Sequence, residues 1–145
     1  MASDSRRLRV ALLATLGFGV ALGLVTWALS TVAHVTGPDA SPGLTLAMMV
    51  AAVAGFLAVL LRLEPASSAV VVVVLPMLGA VAGFLVVGGV LFGLGGGDPL
   101  RGPTFALAQF GFPGLYVVAV LAAVAAAVYL MGTSPHRTGH SRRVG

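Results

Sequence analysis

Chemistry in this chain would have to start from very few groups: four Asp and Glu, three His and no Cys among 145 residues. Asp39 and Asp98 each stand among Gly and Pro, and two loop carboxylates brought together can hold a cation. An Asp beside Gly and Pro is also an ordinary turn former, because its side chain bonds its own backbone. That turn role is the expectation for both. His136 and His140 are four apart, a spacing that would put two imidazoles on one helical face for a metal. Pro135, Gly139 and Ser141 argue against a helix there, so the segment reads as a disordered basic tail beside anionic headgroups. Without cysteine there is no thiol nucleophile, iron–sulfur cluster, cysteine zinc site or disulfide framework.

The run Gly93-Leu94-Gly95-Gly96-Gly97-Asp98 has the glycines of a phosphate loop but leads into Asp-Pro, where such a loop ends in Gly-Lys-Ser or Gly-Lys-Thr. Haem would need axial ligands inside a bundle, and His34 lies only at the edge of an apolar run. No nucleophile stands with a base or a metal-ligand set. The chain is therefore expected not to be an enzyme, and no cofactor or metal is implied. The most polar side chain inside an apolar run is Gln109.

The elements that would position these groups are apolar runs. About 59% of the chain is hydrophobic and 8% charged, against roughly 25% charged in a soluble domain. So few charges could not cover a soluble surface, and the remaining solvent is lipid. Four spans are marked, at about 10–33, 44–61, 69–94 and 105–131, none containing Asp, Glu, Lys, Arg or His. Each reaches the roughly 17–25 residues that cross a bilayer as helix. Lipid offers the backbone no partner, so Val70–Val74, which locally favours strand, is expected to be helical. Turn formers fill the connections 34–43 and 95–104, and the short connection 62–68 forces spans two and three into a hairpin.

Orientation follows from arginine. Arg6, Arg7, Arg9, Arg62, Arg137, Arg142 and Arg143 fall on one side, and Arg101, with Asp39 and Asp98, on the other. The positive-inside rule places both termini in the cytoplasm. The fold class read from the sequence is thus an all-α, polytopic integral membrane protein, an up-down-up-down bundle of four transmembrane helices, N-in and C-in. It has a basic N-terminus over 1–9, a transmembrane domain over 10–131 and a basic tail over 132–145. Trp27, Phe92, Phe105, Phe110, Phe112 and Tyr129 fall near span ends, as an aromatic belt requires, while Phe18, Phe56 and Phe84 lie mid-span. A net charge of +4 is then a topology signal, and no nucleic-acid module accompanies it. Met1–Arg9 and the run behind it also fit a secretory signal with a loose cleavage site at Thr31-Val32-Ala33. The run from Val10 to Leu29 exceeds the 7–15 residues of a signal core, so a retained helix is expected.

Small residues recur four apart on every span: Gly19 and Gly23; Ala47, Ala51 and Gly55; Gly79 and Gly83, then Gly89 and Gly93; Ala119, Ala123 and Ala127. Such stripes let helices approach closely in lipid, either within the bundle or as a dimerisation face. Pro76 and Pro113 are expected to kink spans three and four, freeing the carbonyls of Val72 and Gln109. The Gln109 amide then satisfies a freed group or another helix, or stands in a solute path. One variant has a short interfacial segment, Phe105 to Phe112, and begins the crossing at Pro113. A faint repeat relates Gly37, Asp39 and Gly43 to Gly96, Asp98 and Gly102, and Gly19 and Gly23 to Gly79 and Gly83.

These features point to a small multi-pass protein of the cytoplasmic membrane that works by helix packing, as a structural, accessory or assembly subunit. Its partners are the lipid bilayer and a second copy or another membrane protein, with no nucleic acid. The rival reading is a transporter or channel for a small neutral or apolar solute, with Pro76, Pro113 and the 88–97 segment as flexible elements.

Overall fold

A computed structural model of the chain describes residues 2–33, 41–64, 67–98 and 100–134, and among these it is all-helical. Four long helices are α1 (Ala2–Ala33), α2 (Pro42–Arg62), α3 (Ala69–Gly96) and α5 (Pro113–Thr133), with a short α4 (Arg101–Ala108) and a 3-10 turn at Gln109–Gly111 before α5. All four long helices are long and apolar enough to cross a membrane.

Local chemistry explains the boundaries. Ser41 and Ser68 cap α2 and α3, their hydroxyl oxygens accepting from the N–H of Leu44 at 3.2 Å and of Val71 at 3.4 Å. Pro42 and Pro113 occupy first-turn positions, where a missing N–H removes no helical bond. Helix α3 ends at Gly97, whose φ of 65° is left-handed. Val70–Val74 is helical throughout.

Three boundaries differ from the sequence reading. Helix α1 begins at Ala2 and carries Arg6, Arg7 and Arg9 in its first turns. Arginine is a good helix former, nothing in this stretch breaks a helix, and Asp4 suits the first turn. At the other end, Gly132 and Thr133, read as the start of the tail, complete α5 and Ser134 caps it; the rest of that segment lies outside the described residues. The continuous span over 105–131 is instead two helices. Phe112 is extended, with φ −108° and ψ 142°, because a residue before proline is driven out of the helical region. Pro113 therefore starts α5 and does not kink a helix. The separate segment weighed as a variant is present, but it begins at Arg101. The Phe112 N–H donates to the Gln109 carbonyl at 3.1 Å, so that carbonyl keeps a partner. The Tyr116 hydroxyl donates to the Phe110 carbonyl at 2.9 Å, bridging the break. Pro76 is buried within α3, which runs unbroken through it.

Each long helix packs on two others, α1 on α2 and α5 and α3 on α2 and α5, so the four close a ring. The α2–α3 seam is the most extensive and α1–α2 the least, while α4 lies on α3. Phe18 and Phe56 meet at the centre with centroids 5.0 Å apart and planes at 41°, beside buried Leu22, Leu60 and Val118. The outward faces are as apolar as this core: Leu13, Val20 and Trp27 on α1, Leu46 and Val50 on α2, and Val120 and Val124 on α5 are exposed.

Candidate functional site

The feature most demanding of residue identity is the seam between α2 and α3. A methyl group built on Gly55 would overlap the Gly79 carbonyl oxygen, and one on Gly83 would overlap the Ala51 carbonyl oxygen. On Gly79 it would lie 2.6 Å from Val59 Cγ2 and 2.8 Å from the Gly55 oxygen. One turn further, Met48 Cε would lie 2.6 Å from a methyl on Gly88. The backbones touch here, a contact that the missing Cβ atoms of Gly55, Gly79 and Gly83 permit. As residue numbers fall from 55 through 51 to 48 along α2, their partners rise from 79 through 83 to 88 along α3.

The other stripes have different surroundings. A methyl on Gly19 would make an ordinary 3.6 Å contact with Val53 Cγ2, and on Gly23 it would meet nothing within 4 Å. The repeat that pairs Gly19 and Gly23 with Gly79 and Gly83 therefore joins positions of unlike environment. On α5, Ala119, Ala123 and Ala127 are half-buried, while the buried face runs through Leu115, Val118, Ala122, Ala126 and Tyr129. A second tight approach joins α3 to α4, where a methyl on Gly102 would stand 2.6 Å from the Gly89 oxygen. Phe92 and Phe105 stack beside it, centroids 4.4 Å apart at 18°.

One end of the ring is tied by arginine. Arg7 Nε donates to the Tyr129 hydroxyl at 2.9 Å and Arg7 Nη2 to the Leu63 carbonyl, so one guanidinium joins α1 to the C-terminal ends of α5 and α2. Arg6 Nη2 donates to the Gly132 carbonyl at 3.4 Å. Cationic groups suit the carbonyl end of a helix. Arg7 and Tyr129 border a cavity of about 180 Å³ with Asp4 and Leu60. The sequence placed Tyr129 at a span end and Arg7 in a basic terminus, but carried no sign that they meet.

At the opposite end, Asp98 Oδ1 accepts from the Leu100 N–H at 3.0 Å and its carbonyl from the Arg101 N–H at 3.1 Å, the bonds of a turn-forming aspartate. Two cavities flank this turn. An apolar groove of about 640 Å³ lies between α3 and α4, bordered by Gly89, Val90, Gly93, Leu94, Gly102 and Ala106. A second space of about 470 Å³ is bordered by Ser41, Leu91, Gly96 and Arg101. A third, of about 290 Å³, opens between α1 and α2 beside Gly23, Thr26, Trp27 and Thr45.

Gln109 is buried in the 3-10 turn and borders none of these four spaces. Thr15, the other buried polar residue among those described, donates to the Ala11 carbonyl at 2.8 Å. No group of three or more His, Asp or Glu is arranged to hold a metal ion among the described residues. His34, Asp39, His136, His140, Arg137, Arg142 and Arg143 lie outside those residues, as does Gly37 of the repeat. The chain matches no protein-family model, no curated protein and no solved structure.

Proposed function

We propose that this chain is a small integral protein of the cytoplasmic membrane that acts by packing its helices, as a structural, accessory or assembly subunit and without catalytic chemistry. The α2–α3 seam carries the reading: backbone contact through Gly55, Gly79 and Gly83 is a device by which helices associate in lipid, where the hydrophobic effect gives no driving force and close packing must supply it. Support for the membrane comes from the exposed apolar faces, such as Leu94 at 75% and Trp27 at 68% exposure, on helices of crossing length.

We read the four long helices as an up-down-up-down bundle. The opposed numbering across the α2–α3 seam and the tie from Arg7 to Leu63 and Tyr129 support that order. The arginines at the Arg7 end support its placement in the cytoplasm, with both termini inside. The partners are the bilayer and a further membrane protein or second copy meeting the exposed faces. Blue-native electrophoresis after mild detergent extraction tests this: a discrete complex is expected, and a lone monomer without a partner refutes it.

A further inference from the structure

Gly97 and Gly102 border the apolar groove between α3 and α4, and their chain neighbours Gly96 and Arg101 border the second space, so an apolar and a cationic lining flank the same turn. The groove is walled by Gly, Val, Leu and Ala. Its volume of about 640 Å³ is that of a small-ligand site, for which roughly 300–1,000 Å³ is usual. Gly93 borders it, and a methyl there would make ordinary 3.5 Å contacts with the Gly102 backbone. Beside the second space, the Arg101 side chain lies across Gly96, where a built methyl would be 2.8 Å from Arg101 Cδ and 3.2 Å from Nη1. Its guanidinium has no hydrogen-bond or carboxylate partner among the described residues, and Asp98 is engaged with the Leu100 N–H. Ser41 borders the same space; its oxygen accepts from Leu44, which leaves the hydroxyl proton to donate.

We propose that this site retains one bilayer phospholipid, an acyl chain lying along Gly89, Gly93 and Gly102 and the phosphate at Arg101 and Ser41. Inside a membrane an apolar groove gains nothing from hydrophobicity, since the displaced lipid is equally apolar. Retention must come from close fit in the groove together with the charge-assisted bond to phosphate. A phosphate complements the charge of Arg101.

The inference rests on the membrane reading, so flotation of the full chain with vesicles, measured first, tests that reading separately. The purified chain is then equilibrated with vesicles of phosphatidylglycerol, phosphatidylcholine and diacylglycerol in equal parts and examined by native mass spectrometry. One phospholipid per chain is expected, of either headgroup, with no retained diacylglycerol. Arg101→Gln, at an exposed position, lowers retention about tenfold, the effect of losing one charge-assisted bond, with helix content by circular dichroism unchanged. Gly93→Leu, which fills the groove, lowers it as well, while Val120→Ala on the far face of α5 leaves it unchanged. Equal retention in wild type and Arg101→Gln, equal retention of diacylglycerol, or a chain dimer that Gly93→Leu abolishes would each overturn the proposal.

Discussion

Replacing Gly79 by alanine adds one methyl group where the α2–α3 seam has no room for it. That methyl starts 2.8 Å from the Gly55 carbonyl oxygen, and ordinary van der Waals contact begins at 3.4 Å. The difference, 3.4 − 2.8, is 0.6 Å. Val59 can rotate away from its 2.6 Å contact, but the Gly55 backbone can move only with α2. A gap of 0.5–1 Å forfeits about a quarter to a half of each dispersion contact along the seam, and over-packing typically costs about 1–3 kcal/mol. Helix propensity works the other way, since alanine improves on glycine by about 1 kcal/mol in a helix. Gly23→Ala isolates the two effects, because the same propensity gain applies where a methyl meets nothing within 4 Å. The expected result is a Gly79→Ala protein about 1–3 kcal/mol less stable than Gly23→Ala. Unfolding in mixed micelles of increasing denaturing-detergent fraction measures it, with helix content followed by circular dichroism. Equal stability of the two variants would refute the seam as the contact that needs glycine.

Three further outcomes are expected. Arg7→Leu leaves the Tyr129 hydroxyl and the Leu63 carbonyl without their donor and lowers stability by about 1–3 kcal/mol, with Tyr129→Phe losing less; the same detergent titration checks both. The chain has no cysteine, so single cysteines at Glu64 and Asp98 report topology cleanly. A membrane-impermeant maleimide added to sealed vesicles should label one of them and not the other, and labelling of both from one side would overturn the up-down order. Pro113→Ala restores an N–H and relieves Phe112 of its pre-proline restriction; spin labels at Thr104 and Val120 should then move apart in pulsed electron-resonance distances as α4 and α5 straighten.

Four helices of crossing length are legible in the sequence because a bilayer sets a length that 44–61 and 69–94 meet on their own, whatever they pack against. The break before α5 is half legible. Pro113 marks a disruption, but whether proline kinks a helix or starts one depends on Phe112 adopting extended backbone, which tertiary context decides. The seam is less legible still. Small residues recur on all four spans, and nothing in their spacing says that Gly55 and Gly79 meet while Gly23 faces open space. On α5 alanine fills neighbouring positions, so the run reads equally well as 119, 123 and 127 or as 118, 122 and 126; packing selects the second set for burial. The tie between Arg7 and Tyr129 is not legible at all, because it spans 122 residues and depends on ring closure.

That tie also has a history in time. Arg7 leaves the ribosome with the start of α1, and its partner hydroxyl follows 122 residues later. At roughly 5–20 residues per second the interval is on the order of 6–24 s. Through it the growing chain carries a guanidinium whose bonding is incomplete, first without Leu63 and then without Tyr129. Arrival of α5 supplies the missing acceptor and the Gly132 carbonyl for Arg6 together. A nascent chain halted before α5 thus leaves Arg7 without the Tyr129 hydroxyl and Arg6 without the Gly132 carbonyl, acceptors that only the full bundle supplies.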